Sequence, residues 1–165
     1  MNEKNTAEFF IILFNMIYKS FFIFFLLIPL VCLKAQYRNL NFEHITTNNG
    51  LSKSSITCIL QDEQGFMWIG TFNGLNRYDG YNFTIYLYNQ NDPKSITHNF
   101  ISSIIEDHEG QLWVGTSDGL NRYNRSTDSF RHYRSKEGDS SSISDNQIET
   151  IFEDSKQRLW VGTRN

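Results

Sequence analysis

The 165 residues carry a formal charge of −3, from 15 Lys and Arg against 18 Asp and Glu, with neither sign gathered into a long block. That balance excludes a basic nucleic-acid footprint, and 15% aromatic residues with only two prolines favour strands. Length alone would suit one ordinary domain, but an internal repeat overrides that reading.

At the amino terminus, Lys19 precedes an apolar run over Phe21–Leu33, and Ala35 stands before Gln36. This is the grammar of a secretory signal peptide covering residues 1–35 and cleaved after Ala35, with Leu33 a poor fit three places from its end. Met16 offers an alternative start with a short conventional n-region. An uncleaved anchor stays open, because Phe9–Leu33 is long enough to span a bilayer. Against it stand Asn15, Lys19 and Ser20, a lysine near the centre of such a helix costing about 3 kcal/mol. Lipid attachment at Cys32 is weaker, since Pro29-Leu30-Val31 lacks small residues. Removal of residues 1–35 leaves Cys58 as the sole thiol, so the exported part must hold by packing without an internal disulfide.

Further along, one stretch recurs. Asp62-Glu63-Gln64-Gly65-Phe66-Met67-Trp68-Ile69-Gly70-Thr71 returns as Asp107–Thr116 and again as Asp154–Thr163, with tryptophans at 68, 113 and 160. Spacings of 45 and 47 residues, filled with strand-like pieces, match one blade of a β-propeller. Each period reads as four strands. Ile56–Gln61 comes first, with Ile56, Cys58 and Leu60 on one face and Ile59 on the other, so both faces are apolar and need packed neighbours. Cys58 aligns with Ser103 and Thr150, a position asking for a small packed side chain rather than a catalytic thiol.

A turn led by Asp62, Asp107 or Asp154 follows, closed by Gly65 or Gly110. Gln157 stands where the third copy needs glycine, so that turn is expected to be strained or of another type. The second strand carries the tryptophan, expected to be buried between blades, and Gly70, Gly115 or Gly162, expected to admit close backbone approach. Asn73-Gly74 and Asp118-Gly119 signal hairpins into the third strand, Leu-Asn-Arg-Tyr. Looser turns lead to the fourth, Phe83–Tyr86 and Phe130–Tyr133. Asn89–Asn99 and Ser135–Gln147 read as solvent loops.

Phe42-Glu43-His44-Ile45 matches that fourth strand without three strands before it. The expectation is therefore an all-β chain after an N-terminal hydrophobic signal helix. It comprises a partial β-propeller at 36–165: a closing strand (40–45), complete four-stranded blades at 52–88 and 97–134, and an incomplete blade at 144–165. A closing strand whose partners lie outside the sequence is the usual way a propeller removes sheet edges.

The pattern Asp-x-x-Gly-x-(Leu/Met)-Trp-(Ile/Val)-Gly-Thr-x-x-Gly-Leu-Asn-Arg-Tyr resembles the two-component regulator propeller repeat, and Thr47-Asn48-Asn49-Gly50-Leu51-Ser52 resembles the usual lead-in. The resemblance runs from Phe42 to the end. It implies the periplasmic sensor part of a Bacteroidetes-type hybrid two-component sensor kinase at the inner membrane, held there by the N-terminal segment or a helix further on. It also implies an oligosaccharide or small-molecule ligand, control of glycan-use genes and a homodimeric full-length parent. The kinase would belong to that parent.

No catalytic, cofactor or metal site is expected. His44, His98, His108 and His132 are scattered without zinc spacing. Asp62, Asp107 and Asp154 recur with their turns, Trp68, Trp113 and Trp160 with their strands, and both read as structural. Arg77 and Arg122 are expected to bond between blades. The sequons at Asn82 and Asn124 would be idle in a bacterium. Ligand contacts are expected in the non-repeated connectors. A secreted propeller enzyme on glycans and a non-catalytic interaction scaffold are the alternatives.

Overall fold

The computed structural model describes Phe14, Met16–Lys19 and residues 41–165. The chain divides into two units, Met1–Glu43 and His44–Asn165. In the first, Phe14 and Met16–Lys19 are helical and exposed. Most of the stretch bearing the signal-peptide, anchor and lipid readings lies outside the described residues, and among those described no helix is long and apolar enough to cross a membrane. Residues 41–46 form no strand.

The second unit opens with a short 3-10 turn, Thr47–Asn49, whose Thr46 and Asn49 side chains cap it reciprocally. Gly50, at φ 106°, ends it in the left-handed region and turns Leu51 inward. Ten strands follow among the described residues: β1 (Ile56–Gln61), β2 (Met67–Thr71), β3 (Gly74–Tyr78), β4 (Phe83–Tyr86), β5 (Ile101–Glu106), β6 (Leu112–Thr116), β7 (Gly119–Asn124), β8 (Ser129–Tyr133), β9 (Ile148–Glu153) and β10 (Leu159–Thr163). They form two four-stranded antiparallel meanders, β1-β2-β3-β4 and β5-β6-β7-β8, and a two-stranded sheet of β9 and β10. These are the two complete blades and the incomplete one.

The first strand of every blade departs from plain alternation. Ile56 pairs with Thr71 but Cys58 pairs with Gly70, so a β-bulge adds one residue to β1; β5 and β9 repeat it. The bulge moves Ile56 off the face of Cys58 and Leu60 and onto that of Ile59, correcting the sequence expectation. Its counterparts Ile101 and Ile148 therefore point back at the preceding blade. A Cβ on Gly70 would sit 2.8 Å from Ile101 Cγ2, and one on Gly115 would sit 2.7 Å from Ile148 Cγ2. The groups that crowd these glycines are side chains, not backbone. Cys58, Ser103 and Thr150 are each paired across the ladder with the same glycine, and a Cβ on Gly70 would lie 2.5 Å from Cys58 Sγ. That is why the position holds small residues.

Burial follows the number of neighbours. Between the first two blades lie Trp68, Leu75, Ile96, Ile101, Leu112, Val114, Tyr123 and Phe130, all buried. Each such side chain contributes about 1.5–3 kcal/mol. Between the second and third, only Leu120, Ile148 and Ile151 are buried, with Trp113, Tyr133, Leu159 and Val161 packed around them half-covered.

Candidate functional site

Each repeat begins with a carboxylate that holds two things at once. Asp62 Oδ1 accepts from the Phe66 backbone N–H at 2.9 Å, closing the turn, while Oδ2 accepts from the Trp68 indole N–H at 2.8 Å. Asp107 does the same for Gln111 and Trp113, at 2.8 and 2.7 Å, and Asp154 for Arg158 and Trp160, at 3.0 and 2.8 Å. A buried indole needs a partner for its N–H, and the turn supplies one that is six residues upstream in every copy.

The third turn keeps the form of the others. Gln157 N–H donates to Asp154 O at 2.9 Å, as Gly65 N–H does to Asp62 O and Gly110 N–H to Asp107 O. Gln157 therefore takes the left-handed conformation itself, at φ 63° beside 91° for Gly65 and 71° for Gly110. The turn is strained and not of another type. In the β2–β3 hairpin, the two loop residues are Phe72 and Asn73, and Gly74, at φ 109°, opens the third strand rather than filling the loop.

Arg77 lies over the Phe66, Trp68 and Tyr86 rings, at 5.2, 5.8 and 5.9 Å from their centroids, and donates to the Tyr123 hydroxyl of the next blade at 2.8 Å. Tyr86 donates to Asp128 Oδ1 at 2.6 Å, and Tyr123 donates to the same oxygen. Burial, then the bonds to Asp128 and Tyr123, push the Tyr86 pKa far up; burial and Asp128 raise that of Tyr123. Burial works against the charge on Asp128, but the two hydroxyls and Arg77 outweigh it and hold the carboxyl below its usual range. Arg122 lies 5.9 Å over Trp113, as Arg77 does over Trp68, but among the described residues no hydroxyl or carboxylate meets it.

Carboxylates also latch one blade to the next. Glu106 accepts from the Glu63 backbone N–H at 2.7 Å, and Glu153 accepts from His108 N–H at 2.9 Å and faces its ring nitrogen. Arg125 bridges Asp62 at 2.8 Å and Glu106 at 2.6 Å. Burial disfavours ionised Asp62, yet bonds from Trp68, Arg125 and Phe66 N–H more than offset it, so its pKa is lowered. Cys58 is half-buried, and burial raises its thiol pKa.

The asparagine of Asn-Arg-Tyr is a structural position that the sequence pattern does not mark. Asn76 and Asn121 are fully buried. Asn76 accepts from Ser52 N–H at 2.9 Å and donates to Ser52 Oγ at 2.8 Å; Asn121 does the same with Thr97, at 3.1 and 2.8 Å. Thr71, Thr116 and Thr163 complete the knot through the same serine or threonine position, Ser52, Thr97 and Ser144. Only its partners carry a signal: Ser52, Thr97 and Ser144 each precede their tryptophan by sixteen residues. The connectors are accordingly only partly solvent loops. Ile96 and Thr97 are buried, and Lys94 O accepts from Phe130 N–H at 2.8 Å.

Non-repeated features cluster where the β2–β3 hairpin meets the following connector. Phe72 N–H donates to Ser55 O, and Gly74 N–H donates to Asn99 O. Here Phe72 and Phe100 pack at 5.1 Å between ring centroids, with Phe72 exposed. The matching pair in the second blade is Ser117 and Gln147, so the fold does not demand aromatics there. His98 beside them accepts from Phe100 N–H at 2.9 Å. The described histidines do not converge: His108 faces Glu153, and His132 meets Ser95 O at 2.6 Å. A cleft of about 340 Å³ beside β4 is lined by Tyr86, Asp128 and Lys94, but its phenol and carboxylate are already bonded to each other.

Residues 50–73, 95–118 and 142–165 match the two component regulator propeller family. Histidine kinase P4 of Formosa agariphila is 46% identical over 67 residues, 41% of this chain and 5% of that protein. The extracellular domain of hybrid two component system BT3049 from B. thetaiotaomicron is 33% identical with a TM-score of 0.67, over 72% of this chain and 17% of its own. That of the one component system BT4673 from the same organism is 24% identical with a TM-score of 0.42, over 73% and 22%. The chain thus spans a small part of each relative's length. Three successive stretches of this chain, each folded on its own sheet around the same Asp–Trp clamp, thus carry the two component regulator propeller repeat.

Proposed function

We propose that this chain is part of an exported, ligand-sensing propeller of a hybrid two-component sensor kinase, and that the ligand is an oligosaccharide. The sensor reading draws on the likeness to an extracellular domain of a hybrid two component system. The observation that carries the ligand class is the Phe72–Phe100 pair, in which Phe72 is exposed and Phe100 half-buried beneath it. It sits on a hairpin made rigid by the buried Asn76–Thr71–Ser52 knot, where the other complete blade has polar residues. An exposed aromatic ring backed by a second on a fixed scaffold suits the apolar C–H face of a sugar ring. Control of glycan-use genes, location at the periplasmic face of the inner membrane and homodimerisation of the parent belong to the same proposal. Signalling then requires that the sugar bind one arrangement of the dimer more tightly than the other.

The test is calorimetric titration of the chain with a panel of neutral and acidic oligosaccharides. One class should bind saturably, and Phe72→Ala should weaken it about tenfold, equivalent to ~1.4 kcal/mol. Absence of saturable binding across the panel overturns the ligand class. Cleaved sugar accumulating during incubation would mark an enzyme and overturn the sensor.

A further inference from the structure

The two complete blades share one backbone frame where the β2–β3 or β6–β7 hairpin meets the connector that follows its blade. In the first blade, Gly74 N–H donates to Asn99 O at 2.6 Å and Tyr88 N–H donates to Asn99 Oδ1 at 2.7 Å. In the second, Gly119 N–H donates to Asn146 O at 2.7 Å and Ser135 N–H donates to Asn146 Oδ1 at 2.7 Å. The frames agree bond for bond, yet the side chains on them do not. Leu87 leaves β4 beside Gly74, its Cδ2 2.7 Å from where a Cβ on that glycine would sit. Arg134 takes the same place beside Gly119, its Cγ at 3.1 Å, and reaches Asp118 at 2.6 Å. Tyr88 stands where the second blade has Ser135, just as Phe72 and Phe100 stand where it has Ser117 and Gln147.

Four positions thus turn apolar together on one blade and polar together on the other. Asn99 gathers the apolar four: its neighbour Phe100 packs on Phe72, its carbonyl holds the glycine that Leu87 covers, and its side chain holds Tyr88. Phe72, Leu87 and Tyr88 are 55, 45 and 46% exposed. The second blade forms the same frame without them, so folding does not call for this exposure, and a grouped apolar surface marks a binding site. Aromatic side chains have about 150–250 Å² to bury, so Phe72, Tyr88 and the smaller Leu87, each half exposed, leave on the order of 300 Å² open. A stable protein interface takes about 800 Å² from each partner. The patch is therefore too small for a second copy and suits a narrow ligand with flat apolar faces. Asn73 and Asn99, beside Phe72 and Phe100 in the chain, add neutral amides, where the second blade has the Asp118–Arg134 ion pair.

On the premise that Phe72 and Phe100 carry a sugar ring, we infer that the site continues over Leu87 to Tyr88 and takes a neutral oligosaccharide of three or more rings. The rings run from the β2–β3 hairpin toward the end of β4, the last strand of the first blade, and Tyr88 stacks a ring of its own. Phe72 and Tyr88 are then two anchors of one site. Each ring beyond the first adds apolar contact at Leu87 or Tyr88, so the site selects by length.

The experiment titrates the chain calorimetrically with neutral gluco-, manno- and xylo-oligosaccharides of two to six rings, and with uronic-acid counterparts. In the neutral series that binds, affinity should rise about tenfold between two rings and four, the scale of one added aromatic contact, and then level off. Leu87→Arg with Tyr88→Ser installs the residues that the second blade carries on the same frame. This double variant should lose the gain with length and keep its two-ring affinity within about twofold. Tyr88→Ser alone, which retains the N–H bond to Asn99, should lose most of the gain and decides the matter if the double variant lowers the thermal midpoint. Phe72→Ala should weaken every length alike. A length gain that survives Tyr88→Ser and the double variant, or binding confined to the acidic sugars, overturns the inference and leaves Phe72 as a sugar platform. A chain that sediments as a dimer until Tyr88 is replaced also overturns it, since the patch would then join two copies. Absence of binding by neutral and acidic sugars alike removes the ligand class and this site together.

Discussion

The two junctions between blades are made from the same parts in unequal amounts. At the first, Trp68 has an Asp62 clamp, Arg77 above it, and Tyr86, Tyr123 and Phe130 around it, and is 0% exposed. At the second, Trp113 keeps its clamp and its arginine but is only half-buried, because only β9 and β10 face it. Trp160 keeps the clamp with no blade against its face and is 54% exposed. The clamp is therefore local and independent of packing, while burial is conferred by the next blade. Stability in this chain accumulates by nearest-neighbour interfaces.

The largest test of that gradient is to remove the indoles one at a time and follow urea unfolding by circular dichroism. Trp68→Ala should cost about 3–5 kcal/mol, the range for emptying a fully packed aromatic site. Trp113→Ala should cost about half as much, and Trp160→Ala ~1 kcal/mol or less, because a side chain already facing water loses little transfer energy. Equal costs at Trp68 and Trp160 would show that the clamp, and not the neighbouring blade, carries the energy.

Next comes the charge at the first junction. Asp62→Asn leaves Arg125 facing Glu106 alone and weakens the hold on both the turn and the indole. Breaking a fully buried pair costs ~3–5 kcal/mol, and partial exposure of Arg125 reduces the expectation to about 2. The sign with pH follows from the lowered Asp62 pKa. Its stabilisation is fully present above the unfolded value near 3.8 and disappears as pH falls through the lower folded value. Asp154, held down to about 2 by Trp160 and Arg158, loses its contribution between about pH 4 and pH 2. Stability measured from pH 7 downward should fall less steeply below pH 4 in Asp62→Asn than in the unaltered chain.

The glycines separate contacts within a blade from contacts between blades. An added methyl at position 70 would meet both Cys58 Sγ and Ile101 Cγ2, whereas at position 162 it would meet chiefly Thr150 Cγ2 at 2.8 Å, from its own blade. Gly70→Ala should cost about 1–3 kcal/mol as overpacking, and Gly162→Ala less than about 1, since nothing beyond its own sheet resists adjustment. A thermal denaturation series including Gly115→Ala, which faces Ile148, should place that variant near Gly70→Ala.

Repetition made the fold legible and hid some of its chemistry. Strand positions and the tryptophan period could be read because identical residues return at a fixed spacing. The bulge at Ile56, Ile101 and Ile148 could not be read, because alternation alone assigns the isoleucine to the wrong face and register is a property of two strands. Asn76 escaped because a polar residue between Leu and Arg reads as exposed until its Ser52 partner, twenty-four residues earlier, is brought beside it. Phe72 and Phe100 stood out only once the structure showed that their counterparts in the second blade, Ser117 and Gln147, occupy the same place. Non-repeated residues are informative only after the repeat has been superposed in space.

Gln157 gives the smallest effect and the cleanest sign. The sequence leaves two readings there, a strained turn or one of another type; the structure shows the strained one, the same turn with a side chain forced into the left-handed region. Such a conformation costs a residue with a Cβ about 1–2 kcal/mol relative to glycine, but glycine also gains entropy in the unfolded chain, which offsets part of the benefit. Gln157→Gly should therefore stabilise the chain by ~0.5–1 kcal/mol, and the reciprocal Gly110→Gln should destabilise it by a similar amount. Because Gly110 has only the distant carboxylates of Glu106 and Glu63 near its missing Cβ, 3.9 Å away, no clash confuses the second measurement. Opposite signs of similar size would establish that the cost lies in backbone conformation; a loss in both variants would mean that the Gln157 side chain contributes contacts of its own.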